Sequence, residues 1–129
     1  MVSPRRARRR GFTLVELMVV MAIVALLLAI ALPRYFGHLE KARETVLRQD
    51  LATLRDAIDK YHGDRGRYPE SLDELVSARY LRAVPVDPLT DRGDTWQFVA
   101  PEDGEAGAVY DVKSGAPGAA RDGTAYADW

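Results

Sequence analysis

The chain has 129 residues, which is enough for one small domain and little more. Its formal net charge of −1 combines five arginines before Gly11 with an acidic remainder, so without the first eleven residues the charge would be −6 and would not suit a nucleic-acid partner. The chain has no cysteine, which excludes a disulfide framework and leaves packing, or packing with a bound ion, to hold the folded part.

The first predicted element is an apolar helix that is long enough to cross a membrane. A helix from Phe12 to Leu32 would measure about 31 Å, close to the roughly 30 Å hydrocarbon thickness of a bilayer. Because the five arginines precede it, the positive-inside rule keeps that end in the cytoplasm and sends the rest of the chain outward. Glu16 is the only ionisable side chain between Gly11 and Pro33, and an acid within hydrocarbon predicts a functional site.

A second, amphipathic helical half is predicted over residues 34–62. Its apolar residues recur at alternating steps of four and three and would share one face, namely Leu47, Leu51, Leu54, Ile58 and Tyr61. Gly63 and Gly66 are expected to end the pattern. Pro33 removes one backbone hydrogen bond where the two halves meet, so we expect a kink there and leave open whether residues 29–37 also melt locally.

Residues 63–129 predict a small domain that contains a short helix and an antiparallel sheet. Ser71 and Glu74 have the spacing of a capping box, in which Glu74 returns a bond to the Ser71 backbone, and this opens a helix over about 72–78. Two strands are predicted at 95–100 and 108–113, on either side of an acidic, glycine-bearing loop. Tyr126 and Trp129 are expected to pin the end of the chain to this domain, with contact to a neighbouring subunit as the alternative. The predicted fold class is α+β, with one long N-terminal helix packed on a small C-terminal domain.

No group of residues predicts an active site. The sequence offers no nucleophile with a matching base, so we expect the chain not to be an enzyme. His38 and His62 lack the close spacing of zinc ligands and are expected to be solvated on the helix surface. Asp56 and Asp59, one turn apart on a charged helix face, are expected to be solvated as well.

A basic start followed by an apolar run also fits simpler export signals. Ala29-Ile30-Ala31 would serve as the cleavage site of a signal peptide, Arg9-Arg10 touches the twin-arginine pattern, and an uncut single-pass anchor is the third alternative. Glu16 argues against all three, because an ordinary signal or anchor has no use for an acid early in its apolar run. The mature amino terminus distinguishes these alternatives: Phe12, Leu32 or an uncut Met1.

The run Gly11-Phe12-Thr13-Leu14-Val15-Glu16 follows a short basic leader and precedes an apolar stretch that ends in proline. It resembles the class III signal of type IV pilins and type II secretion pseudopilins. The resemblance implies that residues 1–11 are a leader, that a membrane prepilin peptidase cleaves between Gly11 and Phe12, and that Phe12 is then N-methylated. We expect the new Phe12 amine of one subunit to pair with Glu16 of a neighbour during assembly.

Beyond the helix the resemblance narrows to the major pseudopilins of type II secretion, the protein G type. The residues that carry it are Arg67-Tyr68-Pro69, Leu72, Leu75, Pro85-Val86-Asp87-Pro88, Trp96-Gln97-Phe98, Tyr110 to Gly115, and Ala127-Asp128-Trp129. It implies a non-enzymatic, single-pass protein of the bacterial inner membrane, with residues 12–33 as transmembrane and assembly helix and 63–129 as periplasmic domain. Such subunits polymerise into a helical periplasmic filament, and the implied partners are the prepilin peptidase, the inner-membrane assembly platform and minor pseudopilins. A subunit of an extracellular type IV pilus is the alternative, and whether the subunit is major or minor stays open.

The same resemblance implies a calcium-binding loop near the carboxyl terminus, and here the chain departs from the pattern. The stretch Ser114-Gly115-Ala116-Pro117-Gly118 has proline where an aspartate is expected. Asp122 and Asp128 remain as oxygen ligands, whereas calcium takes six to eight. No cofactor is therefore predicted, and a calcium ion between Ser114 and Asp128 stays an open alternative.

Overall fold

The structure is a computed structural model that describes residues 2–4 and 10–129. Residues 1 and 5–9 of the predicted leader lie outside the described residues, so the prediction for most of the leader is not tested. The chain divides into two compact units, Met1–His38 and Leu39–Trp129.

Helix α1 extends from Leu14 to Arg65 without interruption. Pro33 lies inside it and residues 29–37 are all helical, so the local melting that the sequence left open is not observed, while the kink stays a prediction. Gly63 is also helical, and the expectation that it ends the helix is wrong. The helix ends before Gly66, which has a φ of 68° and whose N–H donates to the His62 carbonyl. A glycine in this left-handed conformation is a common helix C-cap because it has no Cβ to clash.

The second unit has a core built on the apolar stripe of α1. All five stripe residues of the sequence prediction are buried, together with Ala57 of the same helix. They pack against buried side chains from the rest of the unit, which are Tyr68, Leu72, Leu75, Trp96, Val109 and Val112. The amphipathic half of the helix therefore serves as the base of the C-terminal domain, as its periodicity predicted.

Helix α2 comprises Leu72–Ser77 and is capped by Ser71, whose Oγ accepts the Glu74 N–H at 3.2 Å. The predicted cap is confirmed, but the reciprocal bond is shifted by one residue. Glu74 Oε2 accepts from the Glu70 N–H at 2.7 Å, not from Ser71. The Glu74 carboxylate is also bound by Arg67 and Tyr61, and these additional donors set its orientation.

Two short antiparallel strands, β1 Gln97–Val99 and β2 Asp111–Lys113, pair with Phe98 opposite Val112. β1 is shorter at both ends than the predicted 95–100, whereas β2 ends at Lys113 as predicted but begins three residues late. The late start of β2 has a visible cause. The N–H groups of Ala108 and Val109 donate to the Pro69 carbonyl at 3.1 and 2.9 Å, so they are not available to a longer ladder. The last element is a 3₁₀ helix, Tyr126–Asp128. With one long helix, one short helix and an antiparallel pair of strands, the predicted α+β architecture is confirmed.

Candidate assembly site

The first turn of α1 is held by a side-chain cap. Thr13 precedes the first helical residue, and its Oγ1 accepts the Glu16 N–H at 3.1 Å. Thr13 and Glu16 therefore occupy the N-cap and third helical positions, the spacing of a capping box. The Thr-x-x-Glu spacing in the sequence is the local signal for this role of Thr13, which was not among the predicted site residues.

This position also moderates the electrostatic cost of Glu16. A helix amino terminus carries about half a positive charge, and an acid in the first turn gains about 0.3–1 kcal/mol from it. Placing a charge in a membrane helix costs roughly 2.5–3.5 kcal/mol at the centre and less toward the ends. The helix terminus offsets only a part of that cost, so a further positive partner for Glu16 would still be stabilising.

Phe12 and Glu16 lie on the same side of this turn. Together with Leu17 and Val20 they line a shallow cleft of about 150 Å³. Phe12 is 92% exposed, and the Gly11–Phe12 peptide bond lies in the non-helical segment just before α1. The bond is thus accessible to a protease, and an amine created on Phe12 would lie beside the capped turn.

The apolar half of α1 has no protein cover within the described chain. Every residue from 14 to 32 is exposed, and among the described residues this helix alone is long and apolar enough to cross a membrane. A helix that is apolar on all sides must be surrounded by lipid or by other subunits.

In the second unit, Glu74 is the centre of a hydrogen-bond network that joins α1, α2 and the segment between them. Its carboxylate accepts from Arg67 Nη2 at 2.6 Å, from the Glu70 N–H and from the Tyr61 hydroxyl. The Arg67 guanidinium, followed by the Glu70 N–H and the Tyr61 hydroxyl, lowers the pKa of Glu74 from 4.5 to about 2. The Arg67-Tyr68-Pro69 segment is thereby tied to the helix that supports it.

A second polar pair is buried where the Pro85–Pro88 stretch meets the segment after β2. Asp87 and Ser114 are both fully buried, and the Ser114 hydroxyl donates to Asp87 Oδ2 at 2.6 Å. Asp87 Oδ1 accepts from the Leu89 N–H, and Ser114 Oγ accepts from the Ala116 N–H. Partial burial, together with the nearby Asp87 charge, raises the pKa of Asp50.

The remaining predicted residues fall into three groups. Tyr126 and Trp129 are half-buried against the core, which confirms that they pin the end of the chain to the domain. His38 is exposed as expected, whereas His62 is only partly solvated: its side chain is 39% exposed and its ring stacks on Tyr68, with the ring centres 4.1 Å apart. Asp56 and Asp59 are exposed. Within residues 2–4 and 10–129, no group of three or more His, Cys, Asp and Glu side chains is placed to hold a metal.

Comparison with known proteins gives two family matches that meet near Pro33. The prokaryotic N-terminal methylation motif matches residues 6–32, which contain the capped turn and the apolar half of α1. The family described as type II secretion system, protein G, matches residues 34–128.

Curated relatives agree with these matches, whereas no solved structure matches the chain. The type II secretion system core protein G of Klebsiella pneumoniae is 33% identical over 138 aligned positions, which cover 95% of this chain and 95% of the relative. The proteins of the same name from Escherichia coli K12 and Pseudomonas aeruginosa PAO1 are 34% and 32% identical, over 85% and 75% of this chain and 83% and 78% of theirs. The chain therefore belongs to the protein G family of type II secretion systems.

Proposed function

We propose that this protein is the structural subunit of a type II secretion pseudopilus, in which copies polymerise into a helical periplasmic filament that drives protein export across the outer membrane. The observation that carries the proposal is the first turn of α1. There the exposed Phe12 lies beside Glu16, whose N–H is capped by Thr13, at the start of an apolar helix that no described part of the chain covers. The chemistry of this turn suits assembly between subunits, and the family's structural role supports a non-enzymatic function.

The first step is the removal of residues 1–11 by a prepilin peptidase, which cuts between Gly11 and Phe12. Cleavage discards five arginines that hold the amino terminus at the cytoplasmic face, and it creates an amine on Phe12. N-methylation of that amine leaves it able to carry a proton, so its positive charge survives. Both changes favour movement of the helix out of the membrane and into a filament.

Before assembly the protein is a single-pass protein of the inner membrane with residues 63–129 in the periplasm. The arginines ahead of the apolar stretch support this orientation, because positive residues are retained on the cytoplasmic side. Residues 12–33 form the transmembrane and assembly segment, and residues 34–62 form the amphipathic segment under the periplasmic domain. A kink at Pro33 would let these two segments adopt different directions in the filament.

Assembly pairs the Phe12 amine of one subunit with Glu16 of its neighbour. Two unit charges about 4 Å apart attract by about 4 kcal/mol at an effective dielectric of 20. This attraction is comparable to the cost of placing the acid in the membrane, so the pair adds little net stability. Its main effect is to set the register between subunits, because a misplaced subunit would leave Glu16 unpaired. The contact joins two different surfaces and does not close on itself, which generates a helical homo-oligomer.

The subunit requires partners besides copies of itself. These are the prepilin peptidase, the inner-membrane assembly platform and minor pseudopilins. The three relatives described above are each named as type II secretion system core protein G, which does not favour the type IV pilus alternative. A deletion strain should lose its secreted enzymes while motility and DNA uptake remain intact, and the reverse phenotype would favour a pilus.

The direct test compares Glu16→Ala with Glu40→Ala in the full-length chain. Glu40 is an exposed acid on the same helix, beyond the apolar stretch, so it controls for a general loss of charge. We expect both variants to insert and to be cut before Phe12, as read by mass spectrometry, but only Glu16→Ala to form few filaments. Normal filaments from Glu16→Ala would refute the charge pairing, and a mature terminus other than Phe12 would refute the processing step.

A further inference from the structure

Three basic residues with a seven-residue spacing run along the second half of α1: Arg48, Arg55 and His62. Seven residues are close to two helical turns, so these side chains share one side of the helix. Each reaches an acid from a different later segment of the chain. The pairs are Arg48 with Asp122 at 3.6 Å, Arg55 with Asp111 at 2.7 Å, and His62 with Glu105 at 3.7 Å.

Two of these residues also hold Trp129. The Arg48 guanidinium lies 4.0 Å from the centre of the Trp129 ring, in cation–π geometry. Arg55 Nη2 donates to the Trp129 main-chain oxygen at 2.9 Å, and the Trp129 indole N–H donates to Thr124 Oγ1 at 2.8 Å. One face of the indole, its N–H and the main-chain oxygen of Trp129 are thus all used to fix the end of the described chain.

Glu44 lies one turn before Arg48 on the same helix and binds the same segment. Its Oε1 accepts from the Arg121 main-chain N–H and from the Tyr126 hydroxyl, both at 3.0 Å. We call Glu44, Arg48 and Arg55 the C-terminal clamp, because these three side chains of one helix together contact Arg121, Asp122, Tyr126 and Trp129.

The held segment is also closed by bonds of its own. Ala119 and Ala125 form an isolated antiparallel bridge, and the Ala120 N–H donates to the Thr124 carbonyl at 2.7 Å. Inside this turn, Asp122 Oδ1 accepts from both the N–H and the hydroxyl of Thr124, at 3.0 and 2.6 Å. The Thr124 hydroxyl, the Thr124 N–H and the Arg48 charge lower the pKa of Asp122.

These contacts leave little for a calcium ion to bind. Calcium requires six to eight oxygen ligands, usually with several carboxylates. One oxygen of Asp122 is engaged by Thr124, and the other faces the Arg48 cation, which would repel a second cation. Pro117 contributes no carboxylate where the family pattern has one, and Asp128 alone does not complete a ligand set. The residues present do not fit the calcium site that the family resemblance implied.

We infer that the C-terminal clamp holds residues 119–129 in place of a divalent cation, so that this segment stays ordered without calcium. The guanidinium of Arg48 supplies the positive charge beside Asp122 that a bound cation would otherwise supply. The clamp operates within one chain, so it can be tested whether or not filaments form.

The test uses hydrogen–deuterium exchange of the full-length protein in detergent micelles, read by mass spectrometry over residues 116–129. The wild-type protein is measured in excess EGTA and in millimolar calcium chloride, and we expect the same exchange rates in both. Arg48→Gln removes the cation and its stacking, and we expect exchange in this segment to accelerate about two- to fivefold, the range of an exposed cation–π contact. Arg48→Lys, which keeps the charge but not the planar stack, should give an intermediate rate.

Lys60→Gln is the matched control, because Lys60 is an exposed base on the same helix that pairs only with Asp56 among the contacts described. It should leave exchange over residues 116–129 unchanged. Slower wild-type exchange in calcium than in EGTA would overturn the inference, and this comparison needs no variant to fold. Equal exchange for Arg48→Gln and Lys60→Gln would also overturn it.

Discussion

Replacing Glu74 with glutamine tests whether the charge of this residue stabilises the contact between α1, α2 and the segment that joins them. Glutamine has nearly the same size but no charge and one acceptor oxygen instead of two. Glu74 accepts from Arg67, from the Glu70 N–H and from the Tyr61 hydroxyl, so the substitution leaves Arg67 without a negative partner and at least one other donor without an acceptor.

The expected loss can be bounded in two ways. Hydrogen bonds to charged groups contribute about 1.5–3 kcal/mol each to stability. A pKa of about 2 in place of 4.5 corresponds to at most about 3 kcal/mol. The Glu74 side chain is 25% exposed, and solvent screening reduces the contribution of its ion pair. We therefore expect Glu74→Gln to lower the free energy of unfolding by about 1.5–3 kcal/mol near neutral pH.

The pH dependence supplies the sharper assay. Because the pKa of Glu74 is lower in the folded state than its ordinary value, the folded state binds fewer protons in acid, and the stabilisation is complete only above about pH 5. It should decline as the pH falls from about 4.5 toward 2. Urea unfolding of the full-length protein in micelles, followed by tryptophan fluorescence, should show the wild-type advantage over Glu74→Gln shrinking across that window.

Glu102→Gln provides the control, because Glu102 is exposed in the loop between the two strands. It should change the unfolding free energy by no more than about 0.5 kcal/mol. A wild-type advantage over Glu74→Gln that stays constant from neutral pH down to about pH 2.5 would refute the assigned role of the charge.

Four further substitutions can be measured by the same urea unfolding. Gly107→Ala should destabilise the domain by more than about 2 kcal/mol, because the new Cβ would lie 2.2 Å from the Tyr68 carbonyl oxygen and because Gly107 has a φ of 112°. Its control, Gly63→Ala, lies at an open helical position and should stabilise by up to about 1 kcal/mol. Equal effects of the two substitutions would contradict this prediction. Ser114→Ala should cost about 1–3 kcal/mol, because buried Asp87 loses a donor, and a neutral result would contradict the importance of that pair. Arg79→Gly should stabilise by up to about 1 kcal/mol by relieving a φ of 66°, and a clear loss would show that the arginine side chain matters more.

The elements of the fold were predictable where a local pattern decides them. The buried stripe of α1 and the Ser71 cap both follow from spacings of three and four residues, which a helix converts directly into a shared face or a hydrogen bond. The start of β2 was not predictable in this way, because the N–H groups of Ala108 and Val109 donate to the carbonyl of Pro69, about forty residues earlier. Competition of this kind depends on the tertiary structure and leaves no local signal.

The same distinction applies to the sites. Phe12 and Glu16 lie together because they are four residues apart around a helix start, so the sequence was sufficient to group them. The heptad spacing of Arg48, Arg55 and His62 was also readable, but their acidic partners are 43 to 74 residues further along the chain. Which acid reaches which base depends on the turns after β1 and β2, so no local signal in the sequence predicts these pairs or the stacking of His62 on Tyr68.

The two units meet opposite physical requirements, and this makes their roles separable by experiment. Residues 14–32 expose their whole apolar surface, so this segment is stabilised only by lipid or by other subunits. In the proposed function, Glu16 acts on that external equilibrium. The second unit buries its own core and pairs its acids internally, so Glu74 acts on folding. Glu16→Ala should therefore reduce filament yield without changing the urea midpoint of the domain. Glu74→Gln should lower that midpoint while leaving membrane insertion and the cleavage before Phe12 intact. If either substitution altered both properties equally, the two units would have to be energetically coupled through α1.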